Sequence, residues 1–185
     1  MIRYATIGTN FVVNWFLEAA KKCEGLHYCA AYSRNVEKAR EYAAQWGADR
    51  YTDSLTELAE AEDVDAVYIA SPNSLHFEQA ALMLTHGKHV LCEKTVTSNR
   101  RELERLLEIA DEKDLVFMEA MRSAFIPAFG LIRDNLNKLG TIRRVSLQYA
   151  KYSSRYDKFR AGVVENAFDP RFSNGALMDI GVYCV

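Results

Sequence analysis

The stretch "VDAVYIAS", residues 64–71, decides the fold class of this chain. It is almost continuously apolar and rich in valine, isoleucine and tyrosine, which favour strands. Strands that are buried on both faces have this composition and belong to parallel sheets, whereas half-exposed strands alternate apolar and polar residues. The stretch therefore predicts an inner strand of a parallel sheet.

The sequence on either side of this stretch alternates further strand candidates with segments whose apolar residues follow helical spacing. The other strand candidates are "IRYATI" (2–7), "LHYCAAY" (26–32), a short strand at 51–52, "KHVLCE" (88–93) and "LVFMEA" (115–120). Such alternation implies right-handed crossovers and an α/β fold, a doubly wound parallel sheet with helices on both faces. We expect this domain to occupy residues 1–120.

Several predicted helices begin at residues whose side chains can accept a hydrogen bond from a free backbone amide. The predicted caps are Asn35, Ser54, Ser74 and either Thr97 or Ser98.

After about residue 121 the alternation of strand and helix stops. Residues 127–140 predict a helix, residues 142–152 predict a long alternating strand, and residues 175–185 begin another helical pattern. We expect a domain boundary near Met121 and, over residues 121–185, the first part of an α+β domain that is incomplete in this chain.

The composition excludes several classes of protein. The net charge is −2 with both signs interspersed, so no basic stripe indicates nucleic-acid binding. No apolar run approaches the ~20 residues that span a bilayer, and the first residues do not resemble a leader peptide. The four cysteines (Cys23, Cys29, Cys92 and Cys184) show no CxxC spacing. We therefore predict reduced thiols, no metal site, no membrane association and a cytoplasmic location.

The turn after the first strand is a candidate phosphate site, because a helix N-terminus offers unpaired amides and positive potential to an anion. The dinucleotide-binding pattern is G-x-G-x-x-G, and this chain has "GTNFVV" at 8–13, which keeps the first glycine. Asn10 replaces the second glycine and tolerates left-handed backbone geometry. The predicted cofactor contacts are Gly8, Thr9, Asn10 and Phe11, and the alternative is a plain turn between strand and helix.

The end of the second strand bears on which dinucleotide binds. NAD sites place Asp or Glu there for the ribose hydroxyls, whereas NADP sites replace that charge with arginine. Ser33 and Arg34 stand at this point. They favour NADP, with NAD still possible; the alternative is an ordinary surface arginine.

The loop after the fourth strand candidate lies at the same edge of the sheet. "SPNSLH" at 71–76 supplies Ser71, Pro72, Asn73 and His76 as candidate cofactor contacts, although a histidine here is by itself more typical of an ordinary residue in a helix's first turn.

Glu93 and Lys94 end the fifth strand candidate. There the ammonium of Lys94 could exchange a proton with a substrate oxygen while Glu93 orients it. Asp179 and Tyr183 lie four residues apart and would share one face of a helix, as a second proton-handling pair. The alternatives are a solvent-exposed lysine and a structural Asp–Tyr pair.

Taken together, "YSRNVEKA", "VYIASPNSLHFEQA", "GKHVLCEKTVTSN" and "GALMDIGVYCV" resemble the Gfo/Idh/MocA family of NAD(P)-dependent oxidoreductases in order and spacing. The family's Glu-Lys-Pro pattern corresponds to Glu93, Lys94 and Thr95, with threonine in place of proline. Its Asp-x-x-x-His pattern corresponds to Asp179 and Tyr183, and the tyrosine is similar to the dihydrodiol dehydrogenase-like branch.

The resemblance implies a Rossmann domain and hydride transfer between NADP(H) and the CH–OH or C=O carbon of a small-molecule substrate, a sugar, polyol or dihydrodiol. Lys94 would be the main acid and base, Tyr183 its partner, and Asp179 a substrate-orienting group. The family dimerises through the large sheet of its second domain, so a full-length protein would form a homodimer or larger assembly. A non-catalytic dinucleotide sensor and an inactive folded fragment remain the alternatives.

Overall fold

The computed structural model describes all residues from Met1 to Val185. It contains two compact units, Met1–Glu119 (unit 1) and Ala120–Val185 (unit 2). No helix in either unit combines the length and the apolar composition that crossing a bilayer requires.

Unit 1 is built on one six-stranded sheet. Its strands are β1 (Ile2–Ile7), β2 (Leu26–Tyr32), β3 (Arg50–Thr52), β4 (Ala66–Ile69), β5 (His89–Cys92) and β6 (Phe117–Glu119). Its helices are α1 (Phe11–Ala20), α2 (Val36–Trp46), α3 (Leu55–Glu60), α4 (His76–Thr85) and α5 (Arg100–Glu112). The strand order is β3-β2-β1-β4-β5-β6, and all neighbours are parallel. This order is that of the Rossmann fold, so the predicted doubly wound sheet is confirmed.

The direction of winding reverses between β1 and β4. The chain runs outward from β1 through β2 to β3, and then returns to β4 on the other side of β1. The two inner strands are in register up to the pair Ile7 and Ile69, so their carboxyl ends are level. Loops diverge at such a point and leave a crevice in which ligands bind.

Apolar side chains from the sheet and the helices fill the core of unit 1. Three of the four residues of β4 are buried, as its continuous apolar sequence predicts. The burial of each large side chain stabilises the fold by roughly 1.5–3 kcal/mol. Among the largest fully buried side chains are Ile7, Leu17, Leu58, Ile69, Met83, Leu84 and Leu106.

Side-chain caps define where several helices begin. The predicted caps Asn35 and Ser54 are confirmed, since each side chain accepts a hydrogen bond from a backbone amide of its helix. The other two predicted caps are wrong. Asn99 caps α5, and α4 follows a 3₁₀ turn without any side-chain cap.

Unit 2 contains three short helices, α6 (Pro127–Asn135), α7 (Tyr156–Arg160) and α8 (Ala176–Asp179). The helix predicted from Pro127 is confirmed, and it continues as a 3₁₀ turn as far as Leu139. Asp169 is the one residue of unit 2 that is buried. Large apolar side chains of unit 2 that are more than 60% exposed are Phe125, Leu131, Leu139, Val145, Leu147, Tyr152, Leu177 and Val185.

The strand predicted over residues 142–152 is wrong. These residues form no strand, and every one of them is exposed. A strand needs a neighbour to accept and donate its backbone hydrogen bonds, and all six strands of the structure belong to unit 1. Residues 142–152 therefore have the alternating sequence of a strand, but they pair with no strand of this structure.

Candidate active site

The turn that joins β1 to α1 depends on glycine at position 8. Gly8 has φ +120°, a region that side chains rarely adopt, and its amide donates to the Tyr32 carbonyl at 3.3 Å. A Cβ placed there would lie 2.8 Å from the Ala70 carbonyl oxygen. The glycine thus lets the end of β1 approach the end of β4 at the point where the winding reverses.

Asn10 ties the same turn to β4. Its Nδ2 donates to the Ala70 carbonyl at 2.7 Å, and its Oδ1 accepts from the amide of Val12 at 2.9 Å, which caps α1. Its φ is −92°, so left-handed geometry is not the reason for asparagine at this position. The side-chain amide instead fixes a turn that the usual glycine would leave looser.

The first turn of α1 presents an exposed aromatic surface beside its unpaired amides. Thr9 is half-buried, whereas Phe11 is 53% exposed and packs edge to face on Trp15 with ring centroids 5.0 Å apart. The helix N-terminus provides positive potential for an anion at this place.

Ser33 and Arg34 follow β2, as predicted. The Ser33 amide donates to the Thr52 carbonyl at 3.3 Å, which fixes the loop against β3, while Arg34 is exposed. Asn35 then caps α2 by accepting from the amide of Lys38 at 2.9 Å. This loop lies at the carboxyl edge of the sheet. It carries Arg34, and neither position 33 nor position 34 is acidic.

The loop after β4 is braced from within. Ser71 Oγ donates to Gln79 Oε1 of α4 at 2.6 Å, and the Leu75 amide donates to the Pro72 carbonyl at 2.9 Å. Asn73 opens the 3₁₀ turn that precedes α4. The loop is thus fixed relative to α4 before any ligand binds.

His76 has a different role from the predicted cofactor contact. Its side chain is completely buried, with Nε2 2.9 Å from the Ser71 carbonyl and Nδ1 2.9 Å from the Thr95 carbonyl. Burial lowers the pKa of His76, and the neutral ring has only one N–H to donate. A fully enclosed ring cannot touch a cofactor, so this prediction is corrected: His76 donates one hydrogen bond, to the carbonyl of either Ser71 or Thr95, and lies against the other.

Glu93 and Lys94 stand directly beyond β5. The Glu93 amide donates to the Ile69 carbonyl at 2.8 Å, which keeps this loop beside the end of β4. The Glu93 carboxylate accepts from the hydroxyl of Tyr68 at 2.7 Å and from the Lys94 amide at 3.3 Å. Lys94 is half-buried, and its loop lies at the carboxyl edge of the sheet.

Tyr68 was missed by the sequence reasoning. It is buried in β4 and stacks on Phe16 with centroids 3.9 Å apart. Burial, together with the neighbouring Glu93 carboxylate, raises its pKa, so it remains a neutral hydrogen-bond donor. A tyrosine inside an otherwise apolar strand was the available signal, because a buried hydroxyl requires a partner.

Asp179 and Tyr183 belong to unit 2. The prediction that one helix carries both is wrong, because α8 ends at Asp179 and a separate 3₁₀ turn begins at Gly181. Tyr183 stacks on Tyr149 with centroids 5.5 Å apart. It also lines a cavity of about 290 Å³ within unit 2 that includes Phe129 and Arg133. Joint action of these two residues with Lys94 stays a prediction.

Within unit 1, the structure gathers most predicted site residues at one edge of the sheet. The loops after β1, β4 and β5 are linked by the hydrogen bonds of Asn10, His76 and Glu93 to their neighbours. Such an edge, beside the reversal of winding, is where open α/β sheets bind dinucleotides.

Comparison with known proteins supports this geometry. The chain is 51% identical over 185 residues to scyllo-inositol 2-dehydrogenase (NADP(+)) IolU of Bacillus subtilis, covering 100% of this chain and 56% of that protein. It is 32% identical over 158 residues to trans-1,2-dihydrobenzene-1,2-diol dehydrogenase of Bos taurus, covering 84% of this chain and 45% of that protein. The chain therefore spans about half the length of the curated relatives it matches.

A solved structure is similar in fold as well as in sequence. KijD10, a 3-ketoreductase from Actinomadura kijaniata crystallised with NADP and TDP-benzene, superposes with a TM-score of 0.69 at 32% identity. The match covers 74% of this chain and 42% of that one. The model of the oxidoreductase family with an NAD-binding Rossmann fold matches residues 2–121. This chain therefore belongs to the Gfo/Idh/MocA oxidoreductase family.

Proposed function

We propose that this chain forms the cofactor-binding and proton-transferring part of an NADP-dependent dehydrogenase for the CH–OH or C=O carbon of a polyol, sugar or dihydrodiol. The observation that carries the proposal is the position of Lys94. It follows β5 directly, and its loop is bonded to the end of β4 beside the reversal of winding. The names of the inositol and dihydrodiol dehydrogenases above favour these substrate classes.

The residues at the edge of the sheet fit a dinucleotide phosphate. The first turn of α1, which follows the turn at Gly8, would bind the pyrophosphate. Ser33 and the exposed Arg34 would receive a 2′-phosphate, which an acid there would repel. NAD remains a possible second cofactor, because the same turn serves both dinucleotides.

The chemistry divides between the cofactor and the chain. The bound nicotinamide supplies the hydride acceptor or donor. Lys94 Nζ hydrogen-bonds the substrate oxygen, takes its proton as the alcohol is oxidised and returns it as the carbonyl is reduced. Glu93, held by the hydroxyl of Tyr68, positions the backbone from which the lysine extends. Asp179 and Tyr183 are proposed to orient the substrate and to assist the proton transfer.

Association with a second copy and a cytoplasmic location also belong to this proposal. The apolar side chains exposed on unit 2 are the kind of surface that another protein surface covers. The four cysteines are free thiols in this structure, as is usual for proteins of reducing compartments.

Replacing Lys94 tests the proposed chemistry. Lys94→Ala should lower kcat with a polyol such as scyllo-inositol by about 100-fold or more, since general acid–base groups contribute 10²–10⁴-fold. The affinity for NADPH, followed by nicotinamide fluorescence, should change little. Lys113→Ala, at the exposed end of α5, is the matched control and should retain full turnover.

Unchanged turnover in Lys94→Ala would remove this lysine from the chemistry. NADPH binding without turnover of any polyol, sugar or dihydrodiol by the wild-type chain would favour the non-catalytic dinucleotide sensor. The replacement of the second glycine by Asn10 is the observation that keeps the sensor as a second candidate.

A further inference from the structure

Three potential metal ligands meet at the opposite edge of the sheet from the candidate active site. His27 and Cys29 lie two residues apart on β2, so their side chains share one face. Asp49 immediately precedes β3, whose first residue pairs with the residue after Cys29. The imidazole nitrogen, the thiol sulfur and a carboxylate oxygen all lie within 4.8 Å of one another.

The distances are close to those of a metal site. Zinc binds sulfur at about 2.3 Å and nitrogen or oxygen at about 2.0–2.2 Å, so tetrahedral ligands stand roughly 3.3–3.8 Å apart. His27 Nε2 and Asp49 Oδ2 are already 2.6 Å apart and would separate slightly to admit an ion. Both side chains are about half exposed and can rotate, while Cys29 is fixed in the core at 2% exposure.

Charged groups of both signs surround Cys29. Asp65 is paired with Arg3, and Asp63 is paired with Arg50. The Asp49 carboxylate, beside His27, is therefore the acid that a cation among the three ligands would contact.

We propose that His27, Cys29 and Asp49 form a binding site for a zinc-class divalent cation, with solvent at the fourth position. A thiolate and an imidazole select zinc-like ions over Mg²⁺ and Ca²⁺, which prefer oxygen ligands. His27 and Cys29 stand five and three residues before the end of β2, roughly 16 and 10 Å at about 3.3 Å per residue, so the ion lies away from the cofactor edge. It joins β2 to the start of β3 and stabilises the fold.

Binding replaces the thiol proton with the metal. The Cys29 S–H bond breaks, the proton passes to solvent, and the sulfur donates its electron pair to the ion. Affinity should therefore rise with pH, because metal binding releases this proton. The sequence did not predict this site because its ligands come from two strands without a short motif.

Titration with Co²⁺, a spectroscopic probe for zinc sites, tests the proposal. The wild-type chain should develop an intense near-ultraviolet band from cobalt–thiolate charge transfer, with about one ion bound per chain and displacement by Zn²⁺. The band should be absent in Cys29→Ser and retained in Cys23→Ser, in which the exposed thiol is removed.

Two pairs of surface variants keep the test independent of any loss of folding in Cys29→Ser. His27→Gln and Asp49→Asn should each weaken Co²⁺ binding at least tenfold. His86→Gln and Asp53→Asn, which are also exposed, should leave it unchanged. Absence of the band from the wild type, its persistence in Cys29→Ser, or its loss in Cys23→Ser would overturn the proposal.

Discussion

At the scale of single residues, the carbonyl of Ala70 organises the candidate active site. Its oxygen accepts a hydrogen bond from the side-chain amide of Asn10. The same oxygen lies where a Cβ at position 8 would have to fit. Two residues of the first turn are thereby explained by one neighbour. The glycine is required by close approach, and the asparagine is favoured by the hydrogen bond.

Gly8→Ala should destabilise the protein through both its backbone and its new methyl group. Gly25→Ala is the matched control, because Gly25 also has positive φ, +83°, but its Cβ would meet nothing within 4 Å. We expect urea unfolding to show a loss about 1–3 kcal/mol larger for Gly8→Ala than for the control, together with weaker NADPH binding. Equal losses would mean that the contact with Ala70 is unimportant.

Arg34→Asp should change the preferred cofactor. A lost charge-assisted bond to the 2′-phosphate and a new repulsion should weaken NADPH binding by about 10–100-fold while NADH binding is kept or improved. Arg101→Asp, an exposed arginine on α5, controls for net charge. A ratio of NADPH to NADH dissociation constants that matches the control would remove Arg34 from the adenosine end of the site.

At the scale of elements, an ion pair fixes β1 to the start of β4. The Asp65 carboxylate accepts from the Arg3 amide at 2.8 Å and from both Nε and Nη2 of its guanidinium, at 3.0 and 2.6 Å. The Asp65 amide in turn donates to the Arg3 carbonyl. These bonds lower the pKa of Asp65 from 3.8 to about 2.

Stability should therefore depend on pH through Asp65. Because its pKa is lower in the folded state, its contribution is complete well above pH 3.8 and is lost as the pH falls through 3.8 towards 2. Both side chains are about a third or more exposed, so solvent screens the pair and we expect only a small contribution from it. Asp65→Asn should flatten the curve of unfolding free energy between pH 4 and 2. Asp53→Asn should not, and a curve unchanged by Asp65→Asn would contradict this assignment.

Elements could be predicted from sequence where the pattern was local. The continuous apolar run of β4 and the caps at Asn35 and Ser54 depend on neighbours within a few residues, and they are found as predicted. The strand over 142–152 was wrong, because a strand depends on a partner that sequence pattern does not reveal. The roles of His76 and Tyr68 likewise come from contacts between segments 19 and 25 residues apart.

At the scale of the whole molecule, the two edges of the sheet carry different groups. The carboxyl edge carries the turn at Gly8, the loop at Ser71 and the lysine, all fixed by hydrogen bonds before a ligand binds. The amino edge carries the Arg3–Asp65 pair and the proposed metal ligands. Asp179 and Tyr183 belong to unit 2.

The proposed chemistry requires the amine of Lys94 to lie beside a bound dinucleotide. Reductive methylation of lysine amines, quantified peptide by peptide with mass spectrometry, measures this without requiring turnover. Saturating NADPH should slow modification of Lys94 several-fold and leave the exposed Lys113 unchanged. If NADPH binds and Lys94 is modified at the same rate as in its absence, the amine does not face the cofactor and the proposed chemistry is wrong.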